Sequence, residues 1–415
     1  MLSGSTRHSV SQWFDKVPEM RLFICDPACV QAFGHNVVAL KYFRDAFKES
    51  FSDAIALCCE ELDPKLAEFY NFEPFYQFYY DGYIQSPNHV PLTADKLRHC
   101  PLRYIDVLEW IATEDAAKMV SQFAISADDA VFFPHLDFYG VAGAINAFLE
   151  MPASSRPTLY LRFIGVMENA SPSYRDPTPE LVARIRRAKE KGLRVSCSAE
   201  TPRLADFIAV LLGDVVSVTP YPDFGSPMPL PSGADFTYFC PGSARFDKGF
   251  LTLAEIFAQV RRRSQDLKIR FITQSLPYRE GRHWQNYTSA LYAIPGVEVC
   301  EPTISEAAML DNYRRSSALL LPYDTTIYER RGSAAMMEGV SFCRPVITYD
   351  GSAFADQVRY YGCGLVVSSP EEMVDAIFKL AQTPREIMAI QTMQSNYRFR
   401  KDVRQSYASW LPVQS

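Results

Sequence analysis

No run in this chain reaches the roughly 18 consecutive apolar residues that a membrane-spanning helix requires, so the expectation is a soluble protein, at most peripheral at a membrane. An excess of positive charge is missing too. The 42 Lys and Arg stand against 48 Asp and Glu, a formal net charge of −6, whereas general nucleic-acid binding needs a basic face. Ten cysteines are scattered from Cys25 to Cys363 without a compact framework, and nothing at the start reads as a secretory signal. Reduced thiols in a cytoplasmic setting are expected. Cys25, Cys29 and His35 lie close together, but no second Cys/His pair completes tetrahedral spacing, so no metal site is assigned. There is no repeat of solenoid period and no biased segment except one rich in proline.

What is present is enough chain for more than one core. At 415 residues and 47.0 kDa, with 48% apolar and 22% charged residues, two domains are expected. Short apolar runs such as MRLFIC (20–25) and AVFFP (130–134) read as buried parallel strands, and helical stretches closed by glycine or proline alternate with them. That alternation predicts an α/β fold with parallel sheets and helices on both faces. The segment TPYPDFGSPMPLPSGAD (219–235) holds five prolines and two glycines, which suits a semi-rigid connector. The expected division is an N-terminal arm at 1–18, a first domain at 19–219, a linker at 220–235, a second domain at 236–386 and a C-terminal helix at 387–415. Phe69 to Tyr83 is crowded with aromatic side chains. Such density reads as core or interface, with a sugar-binding surface as the alternative. Arg162, embedded in a strand, needs a buried partner.

The stretch from Ala318 to Tyr349 organises the second half. Leu319 to Leu321, stopped by Pro322, and Val346 to Tyr349, preceded by Pro345, read as strands. Between them Gly332 and Ser333 supply a turn and an N-cap for a helix beginning at Ala334. Unpaired N–H groups and the dipole make that helix start an anion site. Glu329, Arg330 and Arg331 lie in the loop before it. Two guanidinium groups there suit a diphosphate, and Glu338, further into the helix, suits a pair of ribose or sugar hydroxyls. In the first half, the strand ending at Pro134 delivers His135 and Asp137, candidates for proton handling or substrate orientation. The alternative for Asp137 is to cap the helix that follows.

These residues resemble the donor-binding segment of GT-B glycosyltransferases, in particular the retaining family 4 (group 1) and its variant with an R-x-S-G-like loop. Gly332, Glu338 and the Arg344-Pro345-Val346-Ile347 ending match the family's loop glycine, second glutamate and G-K-P-V-I close. Arg330 stands where the family has its first glutamate, with Glu329 beside it. Gly242 to Gly249 resembles the family's phosphate-binding G-R-x-x-x-x-K-G loop, with Lys248 and Gly249 matching K-G, Ser243 in place of arginine and Arg245 as its candidate substitute. FFPHLDFYG resembles the segment that delivers a polar side chain to the cleft.

The resemblance implies two facing Rossmann-like domains, a C-terminal helix crossing back to the first, and Gly34 and His35 at the inter-domain cleft. It implies transfer of a hexose from a nucleotide diphosphate sugar to a glycan or lipid-linked hydroxyl acceptor, with retention, in glycan or surface polysaccharide assembly. Lys248, Arg330, Arg331 and the helix start would neutralise the leaving diphosphate, and the picture needs no cofactor and no metal. The site residues it assigns are His135, Asp137 and Arg330 for catalysis, and Gly34, His35, Arg245, Lys248, Arg331, Gly332, Ser333 and Glu338 for substrate. Two rivals remain: a nucleotide-sugar epimerase of the same fold, and a non-catalytic partner subunit with a degraded transferase site.

Overall fold

A computed structural model describes residues 20–31, 35–77, 79, 104–165, 177–222, 225–264, 268–277 and 281–411. The expected arm at 1–18 and Gly34 lie outside them, as does the side chain of His35, whose backbone begins the helix His35–Phe47.

The first sheet contains β1 (Arg21–Cys25), β2 (Asp53–Cys59), β3 (Glu73–Tyr76), β4 (Ala130–Phe133), β5 (Thr158–Phe163), β6 (Val195–Ala199) and β7 (Ser217–Val218). The second contains β8 (Phe236–Phe239), β9 (Ile269–Gln274), β10 (Val297–Cys300), β11 (Ala318–Leu321), β12 (Val346–Tyr349) and β13 (Gly364–Val367). Their orders are β3-β2-β1-β4-β5-β6-β7 and β10-β9-β8-β11-β12-β13, and every described pairing is parallel. The expected pair of Rossmann-like α/β domains is therefore observed. Parallel strands need crossovers, and helices on both faces bury the central strands completely, which is why β4 and β11 are apolar end to end. In each sheet the strand order reverses next to the first strand, β1 or β8, and the strand ends there open a crevice.

The junction is held by more than a linker. The two guanidinium-rich ties are Arg344, buried and donating to the carbonyls of Met228 and Pro229 at 2.9 Å each, and Arg385, which donates to those of Pro231, Gly233 and Asp235. The C-terminal helix Arg385–Trp410 crosses back as expected. Its Tyr407 and Trp410 meet Phe43, Phe132 and Tyr160 of the first domain, with ring centroids 5.3 to 5.6 Å apart. Tyr361 and Phe399 of the same apolar cluster lie in the second-domain part, so one core runs across both.

The helix Glu306–Arg315 is capped by Ser305, whose Oγ accepts from Ala308 N at 3.2 Å. Strand β3 lies inside the aromatic-rich stretch, and the helix Pro64–Tyr70 runs into its start. There Phe72, Phe75 and Tyr76 enter the core, Phe69 is exposed and Tyr79 reaches the cleft. Arg162 finds its partners in the carbonyls of Thr219 (3.2 Å) and Pro134 (3.3 Å) and the face of Tyr221. No helix among the described residues is long and apolar enough to cross a membrane.

Candidate functional site between the domains

A cleft of about 450 Å³ lies between the carboxyl ends of the two sheets. On the first-domain side, β1 and β4 run in parallel register, Leu22 beside Ala130 and Ile24 beside Phe132. The residues just beyond both strands therefore emerge together. Asp26 is wholly buried there and His135 is 6% exposed. His135 Nδ1 lies 2.9 Å from Asp26 Oδ2, and Asp26 also accepts from Asn36 Nδ2 (3.2 and 3.3 Å) and from the Ala28 N–H (3.1 Å). A buried carboxylate of this kind requires donors, so Nδ1 carries a proton toward Asp26, while Nε2 lies 3.4 Å from Tyr221 Oη. Asp137 accepts from the Gly140 N–H at 2.8 Å and caps the helix Phe138–Glu150. The capping alternative for this residue is what the geometry shows, although the residue also lines the cleft.

The second-domain side begins at β8. Its loop closes on Gly249, at φ +71°, where a side chain would collide with the Pro322 carbonyl. That turn carries Lys248 back toward Gly242 and places its Nζ 5.8 Å from the ring centre of Tyr323. Burial pushes the Lys248 ammonium down to about 8, and the neighbouring Arg245 adds to the effect. Arg245 lines the cleft but already grips Asp247 with bonds of 2.9 and 2.6 Å.

Ser333 caps the helix Ala334–Ser341, its Oγ accepting from Met336 N at 3.2 Å. Ala334 and Ala335, the first residues of that helix, line the cleft, and their N–H groups make no hydrogen bond with described residues. Glu338 also faces the cleft and receives a hydrogen bond from Tyr313 Oη. Burial raises its carboxyl to about 7 in spite of that bond and of Lys248 nearby. Arg331 lines the cleft with its guanidinium 5.4 Å from the Tyr328 ring. Arg330 does not line it: its guanidinium stacks 4.1 Å from the ring centre of Phe207, and its carbonyl accepts from Thr201 Oγ1. The flat cation finds its partner in the half-buried Phe207 ring, so Arg330 is not placed as a catalytic group.

The structure thus gathers His135, Asp137, Arg245, Lys248, Arg331, Gly332, Ser333 and Glu338 around one space and sets Arg330 aside. It adds residues that sequence reasoning did not single out. Asp26 directly follows the apolar run at 20–25, Tyr221 lies in the proline-rich segment, Tyr313 in the helix Glu306–Arg315, and Glu200 directly after β6. The cleft is cationic and rich in N–H groups toward the second domain, with one carboxyl there suited to hydroxyls, and it offers the His135 Nε2 on the opposite wall. Such a site can hold an anion and a polyhydroxylated group at once. Among the described residues no group of three or more His, Cys, Asp or Glu is arranged to hold a metal.

Residues 235–383 match the family described as glycosyl transferases group 1. No curated protein sequence matches the chain. Solved structures do. A glycosyltransferase from Rickettsia africae aligns at TM-score 0.61 and 12% identity over 96% of this chain and 100% of that one. A sucrose-phosphate synthase from Thermosynechococcus elongatus aligns at 0.59 and 14% over 94% and 95%. A UDP-forming α,α-trehalose-phosphate synthase from Burkholderia xenovorans aligns at 0.56 and 10% over 96% and 100%. The fold is GT-B.

Proposed function

We propose, from a GT-B fold whose second domain matches group 1 glycosyl transferases, that this cleft transfers a hexose from a nucleotide diphosphate sugar to a hydroxyl acceptor, with retained anomeric configuration. The observation that carries the reading is the second-domain wall, where the N–H groups of Ala334 and Ala335, Lys248, Arg331 and Glu338 converge on one space. The diphosphate would lie against the two N–H groups, Lys248 and Arg331, and Glu338 would accept from the ribose hydroxyls. As the bond from the anomeric carbon to phosphate breaks, negative charge grows on the leaving oxygen. Cations and N–H groups fixed in place stabilise that charge more than water does, because they need not reorganise. His135 Nε2, held by the Asp26 bond on the other ring nitrogen, would accept from a hydroxyl on the opposite side.

Glycan or lipid-linked acceptors, a place in surface polysaccharide assembly and a cytoplasmic setting with at most peripheral membrane contact remain part of this proposal. Thermal shift and calorimetry with UDP, GDP and their sugar conjugates test it. A ligand present at about 100 times its dissociation constant should stabilise the chain by roughly 2.7 kcal/mol. Release of nucleoside diphosphate only when a hydroxyl acceptor is added marks a transferase, whereas a changed donor without acceptor marks an epimerase. Binding of no nucleotide at all sinks the reading.

A further inference from the structure

Glu200 follows β6 and is 5% exposed, yet it lines the cleft. Its Oε1 accepts from two backbone N–H groups in different domains, Gly165 at 2.9 Å and Gly332 at 3.0 Å. The approach is close: a Cβ at Gly332 would stand 2.7 Å from Glu200 Oε2, so a larger residue there would push the carboxylate aside. The rest of the residue is equally fixed. Its N–H donates to the Phe163 carbonyl at 3.1 Å, and its own carbonyl accepts from Gln357 Nε2 of the second domain at 3.3 Å. The adjoining residues extend the tie: Thr201 Oγ1 bonds the Arg330 carbonyl, and Arg203 bonds Asp356 and the Gly351 carbonyl at 2.7 Å each.

Against this, Oε2 accepts no hydrogen bond from the described residues. One oxygen of this carboxylate is satisfied twice, and the other, on a residue of the cleft wall, is left to take its partner from whatever fills the cleft. A carboxylate only accepts, so its partner must be a donor. Phosphate would be repelled, whereas the hydroxyls of a sugar donate.

The geometry points to Glu200 as the carboxylate that binds and orients the transferred sugar through one of its hydroxyls, with Oε1 locked to both domains and Oε2 left for the ligand. The assignment rests on the transferase reading above and deepens it. It divides the cleft chemically: cations and open N–H groups hold the diphosphate, Glu200 selects the hydroxyl pattern of the sugar. Because Oε1 also ties Gly165 to Gly332, sugar recognition is built on the same residue that holds the domains together.

Calorimetry of the full chain with UDP, UDP-glucose, GDP and GDP-mannose tests it, using Glu200→Gln, which keeps an acceptor for the two N–H groups, and Glu200→Asp, which keeps the charge but shortens its reach. In both variants the affinity for UDP and GDP should stay within about threefold, and the preference for the better nucleotide sugar over its diphosphate should fall about tenfold. Monodeoxy forms of that sugar nucleotide give an independent measure on the wild-type chain. One of them should lose about tenfold against the parent, and the variants should no longer distinguish the two. An unchanged preference in Glu200→Gln, or an equal loss for diphosphate and sugar nucleotide as expected of a mere strut, overturns the assignment while leaving the transferase reading in place. A wild-type chain that binds no nucleotide sugar overturns both.

Discussion

On the first-domain wall of the cleft, the buried carboxylate of Asp26 is met by His135, Asn36 and the Ala28 N–H, so its charge is answered inside the protein. On the second-domain wall, Lys248 and Glu338 are both driven toward their neutral forms by burial, and the Tyr313 bond and their mutual attraction only partly offset it. The Asp26 end of the first wall is finished before any ligand arrives. The second wall holds ionisable groups whose desolvation outweighs these named contacts, and that is the condition of a site that takes a ligand with charge and hydroxyls of its own.

The two walls should therefore respond differently to substitution. His135→Ala removes an oriented acceptor from a wall that does not hold the nucleotide. Turnover should fall by a factor on the order of 10² or more, with nucleotide affinity within about twofold, as steady-state kinetics set beside calorimetry will read. Comparable losses in both would erase the distinction between the walls.

Glu338→Gln acts on the other side. Nucleotide-sugar affinity should drop roughly tenfold, about 1.4 kcal/mol, for loss of a charge-assisted acceptor. Stability should move the opposite way. The folded Glu338 carboxyl, at about 7 against an ordinary 4.5, keeps a proton that the unfolded chain has lost, so its contribution to stability falls as pH rises between those values. Lys248, at about 8 against 10.5, contributes the reverse slope above pH 8. Both penalties are in full force between about pH 7 and 8. Glu338→Gln should accordingly raise the melting temperature by roughly 2–4 °C at pH 8 and leave it unchanged near pH 4.5. Equal melting curves at pH 8 would show that the carboxyl is not strained by burial.

The smallest effect is expected at Arg330→Ala. Its guanidinium lies over Phe207 outside the cleft, so nucleoside diphosphate affinity should change less than about twofold in a titration that resolves the Glu338 effect. A tenfold loss would return Arg330 to the diphosphate and redraw the second wall.

Much of the second wall was readable along the chain because its parts are local. Ser333 capping Ala334–Ser341, Glu338 in that helix and Lys248 just before Gly249 all depend on neighbours within a few positions, and the same short-range rules located strands such as β1 and β11. Arg330 misled because adjacent arginines in a loop look alike in sequence, while in space one turns to the cleft and the other to an aromatic ring of the other domain.

Apolar runs, turn residues and caps by themselves determined the alternating α/β order and the two-domain plan, since each depends on backbone preferences and on burial within one segment. Only the tertiary structure decided that Asp26 would hold His135 across two neighbouring strands, that Tyr313 would reach Glu338, and that the carboxylate against the Arg330–Gly332 loop would come from Glu200 in the first domain. Those pairs are far apart in sequence, and their partners are selected by strand register and domain closure, which no local run of residues encodes.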